Sequence, residues 1–194
     1  MGRFVDGCRL QISMRILAIS GSLQAHSSNG ALVDAAVAGS AADGRVEVER
    51  SISTAALPAF NPDLEADHRP APQSVAEFRR QVAAADGVLI ATPEYAHSLP
   101  GALKNALDWL VGSGDLHGKP VAIVAASPHA DGAARARAAL EQTLHAQGVR
   151  LVMSLTVTVP AMEFRQHGLG PGPRAAVAEV LDAMIAAAVE ARRA

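Results

Sequence analysis

The chain has 194 residues with 17 Lys and Arg against 19 Asp and Glu, and its net charge of −2 gives no field that favours nucleic acid or an anionic membrane. Hydrophobic residues make up 49% and aromatic residues 3%, which is enough apolar material for one sizeable core. The one cysteine, Cys8, excludes an internal disulfide and fits a reducing, cytoplasmic setting, and no apolar run reaches membrane-spanning length.

Asp6, Arg9 and Gln11 break up any secretory apolar stretch at the start of the chain. We expect residues 1–13 to be an N-terminal extension, mobile or resting on a neighbour, with Met14 a candidate start and residues 14–194 one domain. Residues 15–20 read as a short apolar strand. Ser28 to about Gly39 reads as a helix, with Ala31, Leu32, Ala35 and Ala36 on one face and Gly39 as the stop. Residues 45–50 alternate strictly between polar and apolar, which predicts a strand at a sheet edge with one face wet. Pro58, Pro62, Pro70 and Pro72 rule out regular structure through most of 56–72.

A helix is predicted over 73–84, and Asp86-Gly87 turns the chain into a buried strand at 88–92. The next helix carries Leu103, Ala106, Leu107 and Leu110 and ends at Gly112. Residues 121–126 form another buried strand. A helix follows from about Gly132 to Gln147, and Gly148 ends it. Leu151 to Val159 supplies a fifth strand, and a final Ala-rich helix follows Pro171 and Pro173. Strands and helices alternate throughout. That predicts an α/β fold, a three-layer sandwich around a parallel sheet of five strands.

Two loops carry the chemistry. The first, Ser20-Gly21-Ser22-Leu23-Gln24-Ala25-His26-Ser27-Ser28-Asn29, joins a strand to a helix and is rich in hydroxyls and one amide. Such a loop, beside free helix N–H groups, suits a phosphate. It holds neither the P-loop lysine nor a G-x-G-x-x-G fingerprint. The same residue types also cap helices, and the pattern leaves both readings open. The second loop, Pro93-Glu94-Tyr95-Ala96-His97, is stiffened by proline and carries the only tyrosine, which suits a flat ring. Tyr95 packed on the core and Glu94 capping a turn are open readings, Trp109 reads as packing rather than chemistry, and Lys104 and Asn105 read as loop clamps, with a solvated-face placement equally open for Lys104.

These residues resemble the NADPH-dependent FMN reductase family, which has a flavodoxin-like fold. Its first loop runs Gly-Ser-Leu-Arg-x-x-Ser-x-Asn and is matched at Gly21, Ser22, Leu23, Ser27 and Asn29. Its second runs Pro-Glu-Tyr-Asn-x-Ser-x-Pro-Gly-x-Leu-Lys-Asn-Ala-x-Asp-Trp. It is matched at Pro93, Glu94, Tyr95, Ser98, Pro100, Gly101, Leu103, Lys104, Asn105, Ala106, Asp108 and Trp109. The resemblance spans about residues 14–185. It implies that Ser22, Ser27 and Asn29 hold the FMN phosphate, that Pro93, Glu94 and Tyr95 border the flavin ring, and that Ser127 to Gly132 form a third wall. Gln24 stands where the family has arginine and Ala96 where it has asparagine, and both changes remove polar contacts near the flavin.

His26, His97 and His129 fall on the three loops without metal-ligand spacing, so no metal is expected. The resemblance implies a reductase that takes electrons from NADPH or NADH through bound FMN. A small-molecule acceptor would receive them: a quinone, azo dye, metal oxyanion or free flavin. No catalytic acid or base is required, since the chemistry belongs to the cofactor. It also implies a homodimer or homotetramer. Two other readings stay open: a flavodoxin-type electron carrier that never meets nicotinamide, and a flavin-free member. The near-neutral charge argues against the carrier.

Overall fold

A computed structural model describes residues 14–68 and 70–191 of the chain. The expected extension at residues 1–13 lies outside the described residues. Five strands form one parallel sheet: β1 (Met14–Ser20), β2 (Val46–Arg50), β3 (Gly87–Ala91), β4 (Pro120–Ser127) and β5 (Arg150–Thr158). Their order is β2-β1-β3-β4-β5. Four α-helices connect them, α1 (Ser28–Asp43), α2 (Gln73–Ala84), α3 (Gly101–Val111) and α4 (Ala134–His145), and α5 (Ala161–His167) and α6 (Pro171–Ala191) follow the last strand. This is the flavodoxin-like arrangement, whose strand order reverses between β1 and β3. A crevice opens there at the carboxyl ends of the strands.

The strand pattern in the sequence explains the sheet. Every residue of β3 and β4 is buried, because both strands are covered on two faces. β2 buries Val46 and Val48 and exposes Glu47 and Glu49, as its alternation predicts for an edge. β5 closes the other edge and is half-buried over most of its length. Successive side chains feed opposite cores. Ile16, Ala18, Ala122 and Val124 pack with α1 and α6, through Leu32, Ala36, Val177, Val180 and Met184. Leu17, Ile19, Val121 and Ile123 pack with α2, α3 and α4, through Phe78, Leu103, Trp109, Leu140 and Leu144. Alanines on both α1 and β4 let that helix lie close to the sheet, which brings its first turn over the end of β4.

Two boundaries and one element differ from the sequence reading. α1 does not stop at Gly39 but runs on to Asp43. An exposed mid-helix glycine costs only about 1 kcal/mol relative to alanine. The following turn is fastened by Ser40, whose hydroxyl donates to Val37 O at 2.8 Å and accepts from Val48 N at 3.2 Å. The helix ends at Gly44, whose φ of 69° is left-handed. α4 starts at Ala134 rather than Gly132, since Ala133 takes a left-handed φ of 61°. α5 was not anticipated. It has seven residues, none fully buried, and so it shows no apolar period to detect.

The proline-rich stretch forms two short 3-10 turns, Thr54–Ala56 and Pro62–His68. It is clamped to α3. Trp109 Nε1 and Asn105 Nδ2 each donate to Pro58 O at 2.9 Å, and Phe60 N donates to Asn105 Oδ1 at 2.7 Å. Phe60 meets the fully buried Trp109 ring edge-on, at 5.0 Å between centroids. Arg79 donates to Trp109 O and also pairs with Glu65. Trp109 and Asn105 are thus framework. Lys104 pairs with Asp108 at 2.6 Å on the same helix.

Candidate functional site

The first loop leaves β1 and is folded by its own hydroxyls. Ser20 Oγ donates to Ser22 O at 3.1 Å and accepts from Ser22 N at 3.3 Å. Gly21 N donates to Ala91 O at 2.8 Å, which ties the loop to the end of β3. Ser22 Oγ accepts from Gln24 N at 3.3 Å. Ser27 is the N-cap of α1, its Oγ accepting from Gly30 N at 2.8 Å.

Asn29 is 3% exposed, and its Oδ1 accepts from Ala126 N at 2.9 Å. That bond joins the first turn of α1 to the end of β4, which is otherwise distant in sequence. It leaves the Asn29 amide donor for the cleft. Both Ser27 and Asn29 therefore carry framework bonds with one half of the side chain and keep donor hydrogens on the other.

The second loop leaves β3. Tyr95 and Ser98 exchange two backbone hydrogen bonds at 3.0 Å each. Between them Ala96 (φ 49°) and His97 (φ 62°) are both left-handed, as a two-residue hairpin turn requires. Asparagine adopts that conformation at lower cost than alanine. Position 96 is therefore under a conformational demand, and neither Ala96 nor His97 lines the cleft.

Glu94 reaches 41 and 42 residues along the chain. Its Oε2 accepts from the backbone N–H of Arg135 at 3.1 Å and of Ala136 at 3.2 Å. The N-cap residue of α4, Ala133, has no side chain that can cap. Glu94 supplies that cap from another loop. His97 Nδ1 lies 3.4 Å from Glu94 Oε1 and 2.7 Å from Arg135 Nη1. The Ala136 N–H, followed by His97 and the Arg135 N–H, holds the Glu94 carboxyl below the usual carboxylate value.

The third loop leaves β4. Ser127 Oγ accepts from His129 N at 3.3 Å. Gly132 packs so closely on Ser127 that an added Cβ would fall 1.8 Å from its Oγ. Thr156 Oγ1 donates to Gly132 O at 2.8 Å and anchors the turn to β5.

These elements enclose one cleft of about 890 Å³. Of the sequence-predicted residues, Ser22, Gln24, Ser27, Ser28, Asn29, Pro93, Glu94, Tyr95 and Ser127 line it. Ser20, Gly21, Ala96, His97 and Gly132 do not; they shape the loops behind it. His26 lines the cleft and His129 does not. Among the described residues no group of three His, Cys, Asp or Glu side chains is placed to hold a metal. Sequence reasoning missed the far wall, made by Val159 and by Phe164 and Arg165 of α5. The signal available was faint: Pro160 at a helix start and Gly168 past its end.

One end of this cleft gathers neutral donors around a helix N-terminus, which is the chemistry a phosphate monoester requires. The other end presents Pro93 and a half-exposed Tyr95 ring, which suits a flat apolar ligand.

The family model described as NADPH-dependent FMN reductase matches residues 14–163. An NAD(P)H-dependent FMN reductase of Pseudomonas aeruginosa is 41% identical over 136 residues, covering 68% of this chain and 69% of that protein. A quinone reductase of Escherichia coli K12 is 38% identical over 133 residues, with coverage of 68% and 69%. Among solved structures, the flavoenzyme FerB of Paracoccus denitrificans, an NAD(P)H:(acceptor) oxidoreductase, superposes with a TM-score of 0.75 at 31% identity. The match covers 91% of this chain and 98% of that one.

Proposed function

The chain belongs to the NADPH-dependent FMN reductase family, and from that premise we propose that it passes electrons from NAD(P)H through FMN, held in this cleft, to a quinone. The observation that carries the site assignment is the donor set at the start of α1. Gln24, Ser27, Ser28 and Asn29 meet there, and every one of them is uncharged. Asp34 and Glu94, the carboxylates on the cleft wall, are each engaged: Asp34 by Arg50 at 2.7 Å and Glu94 by the α4 amides. An anionic phosphate meets no free carboxylate there, so the residues fit FMN.

Bound FMN would supply the two-electron redox chemistry between nicotinamide and acceptor. The protein's part is binding and orientation. The first loop and the helix N-terminus hold the phosphate. Pro93 and Tyr95 border the ring and keep one face apolar. The Glu94 bonds to the Arg135 and Ala136 N–H groups tie the second loop to the start of α4, which follows the third loop. No side chain acts as acid or base at the hydride step. The balance is NAD(P)H + H⁺ + quinone giving NAD(P)⁺ + hydroquinone. The quinone assignment rests on the relatives, two of which act on quinones or on a general acceptor by name.

Exposed Leu23, Tyr95 and Met162 at the carboxyl end of the sheet support a homodimer or homotetramer. Size-exclusion chromatography with light scattering checks it, and a monomer at micromolar concentration refutes it. The proposal includes a cytoplasmic setting, where reduced nicotinamide nucleotides are available.

The test is NADPH and NADH oxidation by the FMN-loaded protein, followed at 340 nm with benzoquinone as acceptor. Acceptor-dependent oxidation is expected. FMN bound without any nicotinamide oxidation would instead identify an electron carrier. Failure to bind FMN would remove the site assignment altogether.

A further inference from the structure

The cleft has a charge that its loops do not account for. Three charged side chains of fixed sign line it: Asp34, Glu94 and Arg165. Asp34 is paired with Arg50, and Glu94 with the α4 amides and His97. Arg165 makes no hydrogen bond or ion pair with any described residue. The cleft therefore presents a single uncompensated fixed charge, and it is a guanidinium.

Its place along the cleft follows from the fold. α5 follows β5, beyond β4 in the sheet. Phe164, the residue before Arg165, packs against the core layer that also holds Leu32 and Ala36 of α1. The ring-binding loop belongs to the chain entering α3, which packs in the opposite layer. Arg165 is thus carried on the α1 side, where the uncharged donors converge. Gln24 lines the same cleft from that side. Family members with arginine at position 24 would have a cation there; this chain has a neutral amide.

We infer that Arg165 supplies the cationic contact to the phosphate of the bound flavin nucleotide, in place of the arginine absent at position 24. A guanidinium and a phosphate form charge-assisted, often bidentate hydrogen bonds, which an amide cannot match. The inference rests on the proposed FMN site and adds a residue from an element outside the family's two loop motifs.

The experiment compares FMN with riboflavin, which lacks the phosphate, by quenching of flavin fluorescence. Wild type, Arg165→Ala, Arg165→Gln and the double variant Arg165→Ala with Gln24→Arg are titrated at low and high salt. Arg165→Ala and Arg165→Gln should weaken FMN by about 5- to 20-fold, as expected for loss of a hydrogen bond to a charged group at an exposed site. Riboflavin affinity should stay unchanged. The FMN loss should shrink at high salt, and the double variant should recover affinity. Unchanged FMN affinity in both single variants would overturn the inference. So would an equal loss for both ligands, which marks a folding effect. A raised KM for NADPH but not NADH, with FMN affinity intact, would assign Arg165 to the nicotinamide nucleotide and equally overturn it. If wild type binds neither flavin, the proposed function itself fails, and the inference with it.

Discussion

Glu94→Gln is the most informative single perturbation, because it removes a charge and keeps the shape. In the wild type the carboxylate caps two N–H groups of α4, at 3.1 and 3.2 Å, across 41 and 42 residues of sequence. A negative group at a helix N-terminus contributes about 0.3–1 kcal/mol, rising to about 2 where it is partly buried. Glu94 is 24% exposed, so the upper half of that range applies. Glutamine still offers an oxygen, and Glu94→Gln should cost about 0.5–1 kcal/mol. Glu94→Ala leaves both amides without a cap and should cost about 1–2 kcal/mol. For a chain of this length, 1 kcal/mol corresponds to roughly 2–4 °C in Tm.

The pH dependence has a definite sign. The folded-state pKa of Glu94 is depressed relative to the unfolded chain. Its stabilisation is therefore complete above the unfolded value near pH 4.3 and is lost as pH falls through the folded value. Urea unfolding of wild type and Glu94→Gln should differ at pH 7, and the gap should close as pH falls through the depressed folded-state value. Equal stability of the two at pH 7 would refute the trans-capping role, as would a gap that persists unchanged at low pH.

Asn29→Ala should lower the stability of the flavin-free protein by about 1–3 kcal/mol, because it orphans the buried Ala126 N–H. Asn29→Asp keeps that acceptor and places a carboxylate at the phosphate end, so it should spare stability while weakening FMN; paired melting and FMN titrations read both. Ala96→Gly relieves a left-handed alanine at φ 49° and should stabilise by about 0.4–1 kcal/mol, seen as a higher Tm. Trp109→Phe loses the donor to Pro58 O and some packing, and should cost about 1–3 kcal/mol with FMN affinity unchanged; a shift in affinity would bring the 58–60 segment into the site.

Much of this protein is written locally. β3 and β4 are unbroken apolar runs, and only a strand covered on both faces needs such a run. Glu47 and Glu49 alternate with valines because β2 is an edge. Ser27 at a helix start and the two loop motifs are short-range patterns, and residues of both motifs line the cleft. Gly39 and Gly44 look alike along the chain, and only the packing of Ser40 against β2 decides which one ends α1.

The division of labour within the motifs is a tertiary matter. Asn29 is at once a donor to the cleft and a clamp on β4; Glu94 caps a helix that begins about forty residues later; Trp109 and Asn105 hold a proline-rich segment rather than a ligand. Each of these bonds joins residues whose separation along the chain carries no periodic signal. The far wall of the cleft has the same origin. α5 is too short and too exposed to announce itself by an apolar stripe, and Arg165 lines the cleft on a helix that Phe164 anchors to the core. Periodicity reports which face of an element is buried, so sequence alone can name the strands, helices and loops. The partner of a single polar side chain is set by where the sheet order brings distant loops together, and that only the folded chain decides.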